Sequence, residues 1–132
     1  MNGKWMMVLG SFLAGLGVVL GAFGAHKLKQ LVPPESVQTF QTGVQYQMYH
    51  AFALLFAGLL WDRFNGPGQL AASGWCFLIG IILFSGSLYA LAALKATGKV
   101  GLGGIGILTP IGGLFFIAGW VLLLLVLLKK AS

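Results

Sequence analysis

The chain has 132 residues, of which 58% are apolar and only 8% are charged. Soluble domains carry about 25% charged residues, so a soluble fold of this length could not cover so much apolar surface. The composition therefore predicts an integral membrane protein. The formal net charge of +6 arises from eight Lys and Arg residues. They lie at the ends of apolar segments, where we expect contacts with lipid headgroups and none with nucleic acid.

Four apolar segments are long enough to cross a bilayer. They cover about residues 5–25, 44–62, 70–94 and 105–128. About 20 residues at about 1.5 Å per residue match a hydrocarbon core of about 30 Å. Backbone groups in lipid must be satisfied within their own segment, so we predict helices. The fold class is therefore all-α: a four-helix transmembrane bundle, with residues 1–132 as one integral membrane domain.

The first span carries small residues at alternating spacings of four and three, which place them on one helix face. Small residues let two helix backbones approach closely in a membrane. We predict that this seam packs against another helix of the same chain, with a contact between two copies as the alternative. The helix-packing residues are Gly10, Ala14, Gly17, Gly21 and Gly24.

The second span is preceded by a segment that also favours a helix. Pro34 suits the first turn of a helix, and Glu35 is favoured by the positive helix end. A helix that starts there and continues through span 2 is longer than a bilayer needs. We predict that its first part, before residue 44, is an extension at the membrane interface. The glycine-rich segment 97–106, before span 4, is predicted to be a loop.

If the four spans alternate in direction, both termini share one face of the membrane with the 63–69 turn. We call this face side A, and the face with the 26–43 and 95–104 connections side B. Each side carries the same number of basic residues, so the positive-inside rule selects no orientation. Such a balance is also typical of a protein that inserts both ways. The basic residues are Lys4, Arg63, Lys129 and Lys130 on side A, and Lys27, Lys29, Lys95 and Lys99 on side B.

Polar residues within the spans gather towards side B, and polar groups in lipid often mark a site. Counting about 1.5 Å per residue from the start of span 2 puts His50 about 6–9 Å below that surface. Two interpretations remain open. The polar groups hydrogen-bond across helices and stabilise the bundle, or they line a pocket in which imidazole and phenol donate to an amphipathic molecule. The candidate ligand-binding residues are His26, Tyr46, Gln47, His50, Ser85, Ser87, Tyr89 and Thr109.

The acidic and nucleophilic residues do not form a catalytic set. The two acids, Glu35 and Asp62, fall on opposite sides of the membrane and cannot pair. Ser85 with His50 lacks a third group to orient the imidazole, and two histidines without a carboxylate or thiol beside them do not complete a metal site. We therefore predict a non-enzymatic protein with no catalytic residues, no metal and no cofactor. The GxGxxG match at 101–106 follows no strand, so we predict no dinucleotide site there.

Four ordered motifs resemble one known family of small bacterial membrane proteins. It is the domain of unknown function family four-two-three, the YgdD/YwdK-like group, to which a mitochondrial transmembrane protein of animals is similar. The resemblance implies a four-span, multi-pass protein of the inner (cell) membrane. The motifs are Gly21–His26, Tyr46-Gln47 with His50-Ala51, Phe84–Tyr89, and Thr109–Gly113 with Gly119-Trp120.

The residues and the resemblance together favour a binding protein with a one-sided polar pocket for a lipid-like or quinone-like molecule. A structural or assembly subunit of a larger membrane complex is the main alternative, and a small transporter is the weaker one. The expected partners are membrane lipids, together with a membrane protein partner or a second copy of this chain.

Overall fold

The computed structural model describes residues 1–98 and 103–129. Every regular element in these ranges is helical, which confirms the all-α prediction. A 3₁₀ turn, Leu28–Gln30, follows the first helix, and a π-helical segment, Ile81–Ser85, lies within the third span. The α-helices are α1 (Gly3–Ala25), α2 (Pro34–Leu59), α3 (Gly68–Gly80), α4 (Gly86–Ala96) and α5 (Gly103–Leu127).

Three helical stretches have the length and hydropathy of a membrane span: Gly3–Gln30, Gly68–Ala96 and Gly104–Leu127. The remaining helix, α2, is long enough at 26 residues, but Gln, Tyr and His residues lower its hydropathy. It packs against α1, α3, the π segment and α4, so protein covers much of its surface. The predicted four-helix bundle is therefore confirmed, with α2 as its most polar helix.

Both described ends of the chain lie beside the turn that follows α2. The Met1 side chain packs against Gly74 near the start of α3, and Lys129 Nζ donates a hydrogen bond to Gln69 Oε1. The turn itself is closed by Asn65 and Gly66, which both have positive φ, a conformation that Asn and Gly tolerate best. The two described ends of the chain thus lie on the same side as this turn, as predicted for side A.

The start of α5 differs from the prediction. The helix begins at Gly103, so residues 103–106 are helical where a loop was expected. Glycine is a poor helix former in water, but backbone groups near lipid are best satisfied within a helix. Residues 99–102 of the predicted loop lie outside the described ranges, as do the first two residues of the GxGxxG match.

The small-residue seam of α1 faces α2. Gly10, Gly17 and Gly24 are buried, and a Cβ added to Gly10 would lie 2.8 Å from the Ala51 carbonyl oxygen. Met48 of α2 covers Gly17 in the same way. A second copy could use this seam only by displacing α2. The other two members of the seam, which are half-buried, are Ala14 and Gly21.

Candidate ligand-binding cleft

Polar side chains between α1, α2 and the third span are bonded to one another or to a neighbouring backbone. Gln47 links three helices: its Nε2 donates to the Leu13 carbonyl at 2.8 Å, and its Oε1 accepts from the Tyr89 hydroxyl at 2.6 Å. Ser85 Oγ donates to the Gly43 carbonyl at 2.7 Å. Interhelical hydrogen bonds of this kind stabilise membrane bundles.

Further hydroxyl contacts join the third span to α5. Ser87 Oγ lies 2.5 Å from Thr109 Oγ1 and donates to the Phe84 carbonyl at 2.8 Å. Ser73, which the sequence analysis did not select, donates to the Gly119 carbonyl at 2.8 Å. Throughout residues 1–98 and 103–129, no fully buried side-chain nitrogen or oxygen lacks a partner. These hydroxyls therefore serve the packing of the bundle.

His50 uses both ring nitrogens within the chain. Its Nδ1 lies 2.7 Å from the Tyr46 carbonyl oxygen, and Trp120 Nε1 donates to its Nε2 at 3.0 Å. A carbonyl only accepts, so this bonding assigns the hydrogen to Nδ1 and the lone pair to Nε2, as in a neutral imidazole. The ring also stacks on Phe116, with 3.5 Å between centroids. Neither nitrogen is open to a ligand or a metal in this structure.

His50 lies level with the middle of α1. The nearby residues Gln47 and Ala51 contact Leu13 and Gly10, which are close to the midpoint of α1. If α1 crosses the bilayer from end to end, this level is about half-way across it. The expected depth of about 6–9 Å was counted from residue 44, whereas the end of α1 at Gly24 packs against Phe40 and Gln41 of α2.

A cleft of about 570 Å³ lies between α2, the π segment and α5. The backbones of α2 and α5 stay further apart than those of the other packed helices, and aromatic rings occupy part of the space between them. The volume falls within the range of about 300–1,000 Å³ for ligand pockets. None of the lining residues is charged. They are Tyr46, Tyr49, His50, Phe84, Gly113, Phe116, Ile117 and Trp120.

The π segment brings Phe84 to the wall of the cleft. Its ring centroid lies 4.6 Å from that of Tyr46 and 5.4 Å from that of Phe116, whereas the next residue, Ser85, bonds to the α2 backbone. Gly112 of α5 packs against the Phe84 backbone, where a Cβ would collide. A π turn changes the helical register within one span, and such turns are frequent at functional sites.

Two tyrosines at the mouth of the cleft differ from the third tyrosine of the chain. Tyr46 is 37% exposed and Tyr49 is 51% exposed, and their rings meet edge to face with centroids 5.7 Å apart. Among the described residues, neither phenol oxygen has a hydrogen-bond partner, whereas the Tyr89 hydroxyl is bonded to Gln47. A hydroxyl in apolar surroundings gains free energy when it finds a partner, so these two phenols are available to a ligand.

The structure separates the predicted ligand-binding residues into three groups. Tyr46 and His50 line the cleft. His26 is exposed at the end of α1 and does not line it. The remaining residues form the hydrogen bonds within the bundle and do not line the cleft: Gln47, Ser85, Ser87, Tyr89 and Thr109.

Sequence reasoning missed most of the cleft because it searched for polar side chains. A signal was present in α5, where Gly113 precedes Phe116 by three residues. A glycine leaves space beside its helix, and a large ring about one turn away can border that space. The residues that were missed are Tyr49, Phe84, Gly113, Phe116, Ile117 and Trp120.

Comparison with known proteins identifies the family. The family model described as "Protein of unknown function (DUF423)" matches residues 20–113. The chain belongs to this family. Three of the motifs quoted above lie wholly within that range, and the fourth lies within it except for its Gly119-Trp120 part.

Full-length relatives agree with this assignment. The UPF0382 membrane protein YwdK of Bacillus subtilis is 40% identical over 126 residues, which cover 96% of this chain and 98% of the relative. A UPF0382 membrane protein of Haemophilus influenzae is 43% identical over 104 residues, 79% of this chain and 77% of that protein. The UPF0382 membrane protein SAB0533 of Staphylococcus aureus is 38% identical over 131 residues, with coverage of 98% and 99%. No solved structure matches the chain.

The names of the relatives and the apolar helices lead to the same conclusion. The relatives are called membrane proteins, and three helical stretches of this chain have the length and hydropathy of a span. This DUF423 chain is therefore a membrane protein, and the family resemblance seen in the motifs is confirmed.

Proposed function

We propose that this DUF423 protein is a non-enzymatic binding protein of the inner (cell) membrane, whose cleft holds a lipid-like or quinone-like molecule. The observation that supports it most directly is the cleft itself, lined by aromatic rings and by two phenols that have no hydrogen-bond partner among the described residues. Apolar and aromatic walls gain dispersion contacts with a molecule that lies against them. A lipid-soluble molecule in the cleft would make these contacts and accept hydrogen bonds from the phenols.

The position of the exposed lining residues supports entry from the bilayer. Ile117 is 61% exposed and Trp120 is 46% exposed, so the cleft opens sideways between α2 and α5. A molecule dissolved in the hydrocarbon can reach it without crossing the headgroup layer. Mostly apolar walls with a few polar groups are typical of small-molecule sites.

The chemistry of the lining supports binding without catalysis. Both nitrogens of His50 are engaged within the chain, and the other lining residues are aromatic, Gly or Ile. Within residues 1–98 and 103–129, no three His, Cys, Asp or Glu side chains lie close enough to hold a metal. A phenol can donate a hydrogen bond to a carbonyl, which positions a ligand without transforming it.

Native mass spectrometry of the full chain, released from its own membrane in mild detergent, tests this proposal. Gly113→Leu is the informative variant, because a Cβ there meets only Phe84 Cδ2, at 3.9 Å, and the longer side chain enters the cleft. Gly106→Leu is the matched control on the same helix, since nothing lies within 4 Å of its added Cβ. We expect a bound molecule in the wild type and in the control, and its loss from Gly113→Leu.

Two results would contradict the proposal. One is a wild-type protein that carries no small molecule in repeated preparations. The other is equal occupancy of the same molecule in wild type and in Gly113→Leu, which would place that molecule outside the cleft. Gel filtration of both variants checks that neither substitution has disrupted the fold.

A further inference from the structure

The depth of the cleft restricts the class of molecule that can occupy it. His50, on the cleft wall, lies level with the middle of α1, about half-way across the bilayer if α1 crosses it from end to end. The charged headgroup of a phospholipid stays at the membrane surface, because moving a charge into hydrocarbon is costly. The part of the ligand that meets this wall is therefore neutral and soluble in hydrocarbon.

The absence of charge among the residues that line the cleft also indicates a neutral ligand. A phosphate or carboxylate is normally recognised by Arg or Lys through charge-assisted hydrogen bonds. None of the residues that line the cleft is charged, and the basic residues lie at the ends of the spans. An anionic ligand would have no counter-ion in the cleft.

The walls favour a flat ring over a flexible acyl chain. Tyr46, Phe84 and Trp120 each present a ring at the cleft, and the Phe84 and Tyr46 rings are tilted 38° from each other. Aromatic rings gain from offset or edge-on contact with another flat π system beyond the burial of apolar area. An acyl chain would gain only the burial.

The hydrogen-bonding groups at the cleft that have no partner among the described residues are hydroxyls, and each of them can donate to an acceptor on a ligand. The Trp120 N–H is already committed to His50 Nε2, which leaves the hydroxyls of Tyr46 and Tyr49. A ring carbonyl on the ligand would accept from one of these hydroxyls.

From these four features we infer that the ligand is a membrane quinone: a neutral flat ring with carbonyl acceptors and an isoprenoid tail. The inference rests on the proposed function and gives it a substrate class. The ring lies against Phe84 and Trp120, a carbonyl accepts from Tyr46 or Tyr49, and the tail leaves through the lateral opening. The inference concerns binding and assigns no electron transfer to the chain.

Equilibrium binding to the purified full-length protein in detergent micelles tests the inference with three probes. Decylubiquinone carries the flat ring with carbonyls. Dioleoylglycerol is neutral but has no ring, and dioleoylphosphatidylglycerol is anionic. We expect saturable one-to-one binding of decylubiquinone that is about ten-fold tighter than binding of either lipid. Since a hydrogen bond contributes about a five-fold factor in affinity, the Tyr46→Phe/Tyr49→Phe double variant should lose about five- to ten-fold in quinone affinity.

Tyr89→Phe is the matched control, because it removes the same hydroxyl from a residue outside the cleft. Its quinone affinity should equal that of the wild type. If Tyr89→Phe fails to fold, Trp75→Phe, on an exposed face of α3, controls for an aromatic substitution outside the cleft. Undiminished quinone binding in the Tyr46→Phe/Tyr49→Phe variant would overturn the inference. Tighter binding of either lipid, abolished by Gly113→Leu, would overturn it while leaving the proposed function intact. If none of the probes binds and native mass spectrometry finds no molecule, both fail.

Discussion

The side of α2 that meets α1 and α4 is packed differently from the side that faces α5, where His50 is bonded to Trp120 but two tyrosine hydroxyls are not bonded. On the side that meets α1 and α4, glycines bring backbones together and Gln47 is bonded to both neighbouring helices. On the side that faces α5, the backbones stay apart, rings border a cleft, and the hydroxyls of Tyr46 and Tyr49 have no partner among the described residues. The first side is a closed interface, and the second is an open cleft.

This contrast shows that polarity within a membrane span does not by itself mark a binding site. Gln47 is the most polar buried residue of α2, and its hydrogen bonds are satisfied by the bundle. Tyr49 is less polar and more exposed, and its hydroxyl has no partner among the described residues, so the proposed site uses Tyr49 and leaves Gln47 out. The criterion behind the proposal is whether a hydrogen-bonding group is already satisfied, which the residue type alone does not reveal.

The largest effect on the free energy of unfolding is expected at the close contact between α1 and α2. Gly10→Leu places a side chain against the Ala51 carbonyl, which lies 2.8 Å from even a Cβ, so the helices must separate. We expect a loss of about 3 kcal/mol in the free energy of unfolding, measured by titration of mixed micelles with SDS. Gly15→Leu is the control on the same helix, because nothing lies within 4 Å of its Cβ. Equal stability of the two variants would show that α1 does not pack on α2 through this seam.

A smaller effect is expected from the polar link across the closed interface. Gln47→Met keeps the length of the side chain but removes its hydrogen bonds with the Leu13 carbonyl and the Tyr89 hydroxyl. We expect a loss of about 2 kcal/mol in the same SDS titration. Gln45→Met, on an exposed position of the same helix, should change stability by less than about 0.5 kcal/mol. Similar losses in the two variants would remove the distinction between the two sides of α2.

The smallest effects on stability are expected when the tyrosine hydroxyl is removed at each of three positions. Tyr89→Phe breaks a hydrogen bond between helices and should cost about 1 kcal/mol in unfolding free energy. Tyr46→Phe and Tyr49→Phe break none within the described residues and should each cost less than about 0.5 kcal/mol. A cost at Tyr46 or Tyr49 equal to that at Tyr89, in ligand-free protein, would mean that the cleft hydroxyls also stabilise the bundle.

The fold could be predicted because few backbone conformations satisfy all the hydrogen bonds of an apolar chain in lipid. The length of each span, the seam beginning at Gly10 and the helix start at Pro34 follow from helix geometry and backbone satisfaction. The π segment at Ile81–Ser85 could not be predicted, because its register depends on how Phe84 and Ser85 pack against two other helices. The helical start of α5 at Gly103 was missed for a related reason: propensity measured in water understates helix formation near lipid.

The candidate site was only partly predictable. Tyr46 and His50 were found because their polarity stands out in an apolar span. Phe84 and Phe116 were missed because aromatic residues also face lipid. Phe12 and Phe52, for example, are exposed on the outside of the bundle. Composition alone does not distinguish lipid-facing rings from rings that line the cleft. The rotation of each helix about its axis decides which rings border the cleft, and that rotation depends on the whole bundle.

The central claim is that the hydroxyls of Tyr46 and Tyr49, which have no partner among the described residues, bind the proposed ligand, whereas that of Tyr89, bonded to Gln47, does not. NMR of protein labelled with ¹³C at the tyrosine ring tests it directly, because the chain has three tyrosines and each signal can be assigned with its Phe variant. On addition of decylubiquinone we predict that the signals of Tyr46 and Tyr49 shift and saturate together while that of Tyr89 stays in place. A shift of Tyr89 alone, or equal unsaturable shifts of all three, would contradict the account.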